Sequence, residues 1–373
     1  MKVKALITAT ASALTMMAAG QASAAYFEPW TVTGAETFTI RMGGATAQDK
    51  GLALLMRRLC AAGTMTQVSG SKQTAYLCEA NGTDSAPIAA GTKLVMYKNS
   101  VSGSGSGVVP VSDAQAIPFL NLASLTAGTY PTSCTVTTTA ATPDFADFKL
   151  YNCGTNIATA SVAPDAGLSD VEPNLLGWVS GANGSLSVSA GPGVIFGVPV
   201  SLNFYRALQT AQGKALDDTE ANMPSLTTAQ IAAIYTGGMT TPNNGLSDIN
   251  GNKLVNGAGA LFQLCRRKNG SGTLQSTRAY FTKEGCAKDV KSMKAGADGD
   301  LTAPNLPAGA TAEYGGTTGV LGCLNKSHDL GKYAIGMASL ETKPGFAYTA
   351  DAVWGTDAGN WRYIKVQGYA PTL

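Results

Sequence analysis

The eight residues Arg266-Arg267-Lys268-Asn269-Gly270-Ser271-Gly272-Thr273 bring cationic side chains, flexible glycines and hydroxyls into one short stretch. That mixture suits the capture of an anion. A guanidinium on Arg266 or Arg267 grips a tetrahedral oxyanion through two parallel hydrogen bonds, which the point-like ammonium of Lys268 does not match in direction. Gly270 and Gly272 let the backbone turn, and a helix starting near Ser271 leaves backbone N–H groups aimed into the same spot. Ordinary loops share this composition, so the weight of the reading falls on the other segments.

Three of them offer further oxygens. Thr37-Phe38-Thr39-Ile40-Arg41-Met42 alternates as a strand, Gly43-Gly44-Ala45-Thr46 breaks it, and Leu52, Leu55, Met56 and Leu59 recur at helical spacing between Asp49 and Cys60. Thr46 therefore stands beside a helix N-terminus, although a glycine turn with no ligand has the same pattern. Thr92 to Lys98 forms a second strand pattern and runs into Val101-Ser102-Gly103-Ser104-Gly105-Ser106-Gly107-Val108. Gly/Ser runs are linkers or oxyanion-binding turns, and in the second case Ser104 or Ser106 is the donor. Asp170 lies in Gly167-Leu168-Ser169-Asp170-Val171-Glu172-Pro173. A carboxylate beside an anion makes sense where the anion is protonated: phosphate offers a proton at neutral pH and sulfate does not. A helix cap or plain turn is the competing account of Asp170.

The elements that must position these residues alternate between strands and helices. Val194 to Leu202 reads as a buried strand, Leu226 to Tyr235 as a Thr-capped helix closed by Gly237-Gly238, and Leu261 to Cys265 as the strand that delivers Arg266 and Arg267. Gly315-Gly316-Thr317-Thr318-Gly319 opens a helix carrying Val320, Leu321 and Leu324, and Tyr333 to Ala338 reads as another buried strand. The class expected is α/β.

Met1-Lys2-Val3-Lys4, an apolar run and Ala22-Ser23-Ala24 follow the order of a secretory signal peptide, with cleavage expected after Ala24. No cysteine follows that run at a lipidation position, and no later run is long enough to cross a bilayer. Loss of Lys2 and Lys4 brings the formal charge from +2 to zero. A neutral surface argues against non-specific nucleic-acid binding. A mature chain of this length predicts two lobes rather than one overlarge core.

Seven cysteines in an oxidising compartment pair most simply with their neighbours in sequence: Cys60 with Cys78, Cys134 with Cys153 and Cys265 with Cys286, leaving Cys323 free. Each such loop closes roughly 20 residues, for which chain entropy gives about 3 kcal/mol. The cysteines lack the close spacing of a zinc site and the sole histidine, His328, stands apart, so no metal or cofactor is expected. His328 with Ser104 or Ser106 is the alternative of a serine hydrolase. Against it, Val108-Val109-Pro110-Val111 reads as extended where a nucleophile elbow needs a helix.

Taken together, these motifs resemble the phosphate-binding proteins of ABC-type transporters, a family of bilobal class II solute-binding proteins. Leu226 to Gly237 is similar to the family segment ending Ile-Tyr-x-Gly, and Arg266 to Thr273 to its Arg-x-Asp-Gly-Ser-Gly-Thr. Gly43 to Thr46 resembles its Gly-Ala-Thr loop, Gly103 to Val108 its Gly-Ser-x-Gly loop, and Ser169-Asp170 its Ser-Asp. The resemblance covers most of the chain in outline, with diverged segments between the motifs.

It implies a periplasmic-binding-protein type II fold, two Rossmann-like lobes around a ligand cleft. Residues 1–24 would be the signal peptide, 25–198 the first lobe with an inserted excursion at about 112–160, 199–330 the second lobe, and 331–373 the return to the first. Thr46, Ser104 and Asp170 would bind phosphate from one lobe; Arg267, Ser271, Gly272 and Thr273 from the other. The implied protein is a non-enzymatic, monomeric, periplasmic or secreted binder of phosphate or a related oxyanion, with an ABC-transporter permease as its partner. A same-fold envelope protein with another ligand or an adhesion role is the alternative.

Three departures stand out. Asn269 occupies the place of the aspartate that pairs with the family's binding arginine, the Ser104 to Asp170 interval is long, and the Cys60 to Cys78 loop and the tail ending Tyr369 to Leu373 are atypical.

Overall fold

A computed structural model describes residues 26–32, 37–142, 145, 147–178, 182, 184–191, 193–237, 262–284, 290–306, 311–340 and 359–371. The signal-peptide reading of Met1 to Ala24, together with Gly238, Leu261 and Cys286, lies outside these residues. The protein is a mixed α/β chain with mixed sheets, none closed into a barrel among the described residues. It divides into two compact units. The first comprises residues 1–39, 53–97 and 120–159, and the second 40–52, 98–119 and 160–373. Residues 25–198 thus contribute to both units.

In the first unit, the strands Thr135–Thr139, Phe148–Gly154, Thr66–Gly70 and Gln73–Glu79 lie side by side in that order. The outer pair is antiparallel, the next parallel and the last antiparallel. Alternation in Thr66–Gly70 puts Thr66 and Val68 inside. Two disulfides staple this unit, Cys60–Cys78 and Cys134–Cys153, as neighbour pairing predicts. The Thr-rich stretch expected as an excursion supplies two of the strands, Thr135–Thr139 and Phe148–Gly154.

The second unit is built on a sheet with the order Ser225–Leu226, Trp361–Val366, Phe196–Ser201, Tyr333–Gly336, Phe262–Arg267, Thr311–Tyr314, Ala297–Asp298. Phe196–Ser201 runs antiparallel to both its neighbours, and the Phe262–Arg267 strand is parallel to both of its own. Every residue of Phe262–Arg267 is buried. A strand covered on both faces reads as a continuous apolar run, and here it ends in two arginines.

The helices Leu202–Ala211 and Thr228–Tyr235 send Phe204, Leu208, Ile231 and Ile234 into one core with Val198, Leu264 and Ile335. Full burial of such a side chain stabilises by about 1.5–3 kcal/mol over exposure. Thr227 caps its helix through a reciprocal bond with Gln230, the motif that the Thr cap in the sequence implied.

Two expectations are corrected. Cys265 pairs with Cys323, not with Cys286, so Cys323 is not free. The bond ties the central strand to the helix Thr317–Asp329, which packs beside it, so spatial neighbourhood overrides distance along the chain. Val109-Pro110-Val111-Ser112 is one helical turn rather than extended chain. Pro110 lies in its first turn, where a fixed φ and a missing N–H are both tolerated.

Candidate functional site

All seven residues singled out for ligand binding belong to the second unit. Arg267 closes the buried strand Phe262–Arg267 and is 3 % exposed. The chain then turns through Gly270, and Ser271 stands at the N-cap of the helix Gly272–Thr277 without a side-chain capping bond. Thr46 opens a short 3-10 turn, Thr46–Gln48, immediately after the strand Thr37–Gly44. Ser104 sits buried in a second 3-10 turn, Gly103–Gly107, which replaces the linker that Gly/Ser composition also allowed. Asp170 follows the strand Ala166–Leu168, whose residues pair in parallel with Met42-Gly43-Gly44. Gly44, with φ near +128°, could not be replaced by a larger residue: a Cβ would lie 1.9 Å from the Leu168 carbonyl oxygen.

These loops converge. Arg267 Nη1 donates to Thr46 Oγ1 at 3.1 Å and to Thr317 Oγ1 at 3.3 Å, and Nη2 donates to the Gly315 carbonyl at 3.0 Å. Ser104 Oγ donates to Asp170 Oδ2 at 3.1 Å and accepts from the Asp170 N–H at 3.2 Å. Gly105 N–H donates to the Gly270 carbonyl at 2.7 Å, joining the Gly/Ser turn to the arginine loop. Gly272 passes so close that a Cβ there would stand 2.3 Å from Ser104 Oγ and 2.8 Å from Asp170 Oδ2. Thr273 is buried and, with Arg267, lines a cavity of about 10 Å³ on the core side, room for one water at most.

Three buried polar atoms in this cluster have no hydrogen-bond partner: Asp170 Oδ1, Arg267 Nε and Ser271 Oγ. Such groups are rare in folded proteins, because each costs about 1–3 kcal/mol in lost hydration. Seven other buried side-chain atoms among the described residues also lack a hydrogen-bond partner, but these three, an acceptor, a donor and a hydroxyl, are the ones carried by the converging loops, and together they suit a ligand that both accepts and donates. The first-turn N–H groups of Gly272 and Thr273 add to it, since a helix start leaves them without intrahelical acceptors.

Beneath the Thr46 turn lies a group that the sequence reading missed. Lys98 is 2 % exposed, and its Nζ donates to the Gly44 carbonyl at 2.8 Å, to Ser100 Oγ at 2.8 Å and to the Ala45 carbonyl at 3.3 Å. It also pairs with Asp49 Oδ1 at 3.2 Å, and that oxygen accepts from Ser100 Oγ at 2.8 Å. A lysine at the end of the apolar run Leu94-Val95-Met96-Tyr97 was the available signal. Thr317 was likewise passed over as a helix opener.

Burial opposes every charge here. It raises the Asp170 carboxyl above its ordinary value, against Ser104, Arg267, Gln48 and Lys98, which favour the ionised form. It raises Asp49 in the same way, against Lys98, Ser100 and Arg267. Burial lowers Lys98, against Asp49 and Asp170, and brings the Arg267 guanidinium down to about 10, against Asp170 and Asp49. At that value Arg267 is still a cation at neutral pH.

The histidine stands elsewhere in the unit's bonding. His328 Nδ1 accepts from the Asn203 N–H at 3.1 Å, while Ser106 Oγ donates to the Gly103 carbonyl at 2.9 Å and Ser104 is committed to Asp170. No cluster of three potential metal ligands occurs among the described residues.

Compared with known proteins, the chain matches no family model, no curated protein and no solved structure.

Proposed function

We propose that this chain is an extracytoplasmic solute-binding protein that takes inorganic phosphate, or a closely related oxyanion, at the loops of the second unit that bring Thr46, Ser104 and Asp170 to Arg267 and Ser271. The observation that carries the reading is the trio of unpartnered buried atoms, Asp170 Oδ1, Arg267 Nε and Ser271 Oγ. A buried anion needs its lost hydration replaced donor by donor. Arg267 supplies charge-assisted donors, Ser271 and Thr46 supply hydroxyls, and Gly272 and Thr273 supply backbone N–H groups. Thr46 accepts from Arg267, which leaves its own proton for the ligand.

Asp170 gives the site its discrimination. Its free oxygen accepts the proton of hydrogen phosphate, whereas against sulfate it meets only lone pairs. Asn269, in the place of the family's arginine-pairing aspartate, leaves Arg267 held by neutral oxygens of Thr46, Thr317 and Gly315. Its charge is then available to the ligand rather than to a fixed carboxylate on the same loop.

Three disulfides fit an oxidising compartment, and no described helix is long and apolar enough to cross a membrane. Delivery of the captured ion to an ABC-transporter permease by a monomeric carrier completes the proposal. Calorimetric titration of the disulfide-bonded protein with phosphate, arsenate and sulfate tests it. Heat of binding with the first two and little with sulfate is expected; no binding of any oxyanion overturns it.

A further inference from the structure

We propose that Lys98 is a positioning residue of the oxyanion site, tethering the Gly44-Ala45-Thr46 turn and adding a second fixed positive charge to the surroundings of Asp170. The inference rests on the phosphate reading given above and deepens it. An ammonium offers three donors, and here oxygens of Gly44, Ala45, Ser100 and Asp49 compete for them. The two carbonyls it holds belong to the residues just before Thr46. The Thr46 hydroxyl therefore reaches Arg267 only while Lys98 keeps the turn folded inward.

The same tether governs Asp170. The Gly44 end of the turn is in register with Leu168, two residues before Asp170, and Gln48 at the far end donates to the Ser169 carbonyl at 3.3 Å. The charged and hydrogen-bonding groups that face Asp170 are Ser104 from the Gly/Ser turn, Arg267 from the central strand, Gln48 from the Thr46 turn and Lys98. Asp49 is the carboxylate against which Lys98 is balanced. Of the two cations, Lys98 has the less obvious task, because it holds no open donor toward the ligand. Its effect passes through the turn and through the charge it presents to Asp170.

The test is an NMR titration of the Asp170 carboxyl in the ligand-free protein, its signal assigned by its loss in Asp170→Asn. In Lys98→Met the Asp170 midpoint moves upward, and phosphate binding weakens by about ten-fold. In Asp49→Asn, which keeps the lysine and frees its charge, the midpoint moves downward. An affinity loss in Lys98→Met with the midpoint unmoved marks a merely structural role and overturns the proposal. An unmoved midpoint in Asp49→Asn overturns it as well, even where the lysine variant does not fold. Failure of the parent protein to bind phosphate would sink the functional reading and leave both midpoint measurements readable.

Discussion

Arg267 and Asp170 attract each other through the interior of the second unit without forming a salt bridge: the arginine is held by Thr46, Thr317 and Gly315, and the aspartate by Ser104. A closed ion pair would satisfy both charges and leave nothing for a ligand. Holding them apart keeps one nitrogen of Arg267 and one oxygen of Asp170 open, in a place where open polar atoms are costly.

That arrangement depends on the planar fork of arginine. Arg267→Lys keeps the charge but cannot serve Thr46, Thr317 and Gly315 while offering a further N–H to a ligand. A charge-assisted hydrogen bond contributes about 1.5–3 kcal/mol, so phosphate affinity should fall by about 10- to 100-fold in a titration. Parent-like affinity in Arg267→Lys would mean that the guanidinium geometry is irrelevant.

Gly272 is the point of closest approach between the arginine loop and the aspartate. A methyl group there overlaps Ser104 Oγ and the Cβ and Oδ2 of Asp170, two side chains that are hydrogen-bonded to each other and would have to shift together. Gly272→Ala should lower stability by about 1–3 kcal/mol in urea denaturation and also weaken phosphate binding. A variant that loses neither would show that the two loops are not in contact in solution.

Much of this was legible in sequence because it is local. Glycines and hydroxyls announce the turns at Gly43 to Thr46, Gly103 to Gly107 and Gly270 to Thr273, and apolar periodicity announces the strands that precede them. What the sequence hid depends on contacts distant along the chain. Lys98 reads as the polar end of a strand, and only the fold brings Asp49 and the Gly44 carbonyl to it. The valines around Pro110 favour extended chain by propensity, yet the tertiary setting makes them a helical turn. Nearest-neighbour pairing succeeds for Cys60 and Cys134, whose partners come soon after them in the chain. It fails for Cys265, whose partner lies 58 residues on, within a helix whose docking against the strand the sequence does not reveal.

The Cys265–Cys323 bond has a measurable consequence. Closing a loop of that length restricts the unfolded chain by about 4 kcal/mol in the chain-entropy model. Cys265→Ala/Cys323→Ala should lose up to about that much in denaturant unfolding, and peptide mapping of the parent should recover the two cysteines in one linked fragment. Recovery of Cys265 linked to Cys286 would refute the pairing.

The direction of the Asp170 shift fixes a pH dependence. Its folded value lies above the ordinary 3.8, so its contribution to stability is fully present below that pH and is lost as the pH rises through the raised value. Asp170→Asn has no such loss. Parent stability, measured relative to Asp170→Asn, should therefore decline as the pH rises from acid toward neutral. A difference that stays constant or grows across that range would show that the aspartate is not raised.

The central claim is that a carboxylate reads the proton on a bound tetrahedral anion, and the ratio of sulfate to phosphate dissociation constants, measured at neutral pH in the parent and in Asp170→Asn, tests it most directly. The parent should favour phosphate strongly, and the variant, whose amide can donate to sulfate, should lose most of that preference. Equal binding of the two anions by the parent, or an unchanged ratio in the variant, would contradict the account.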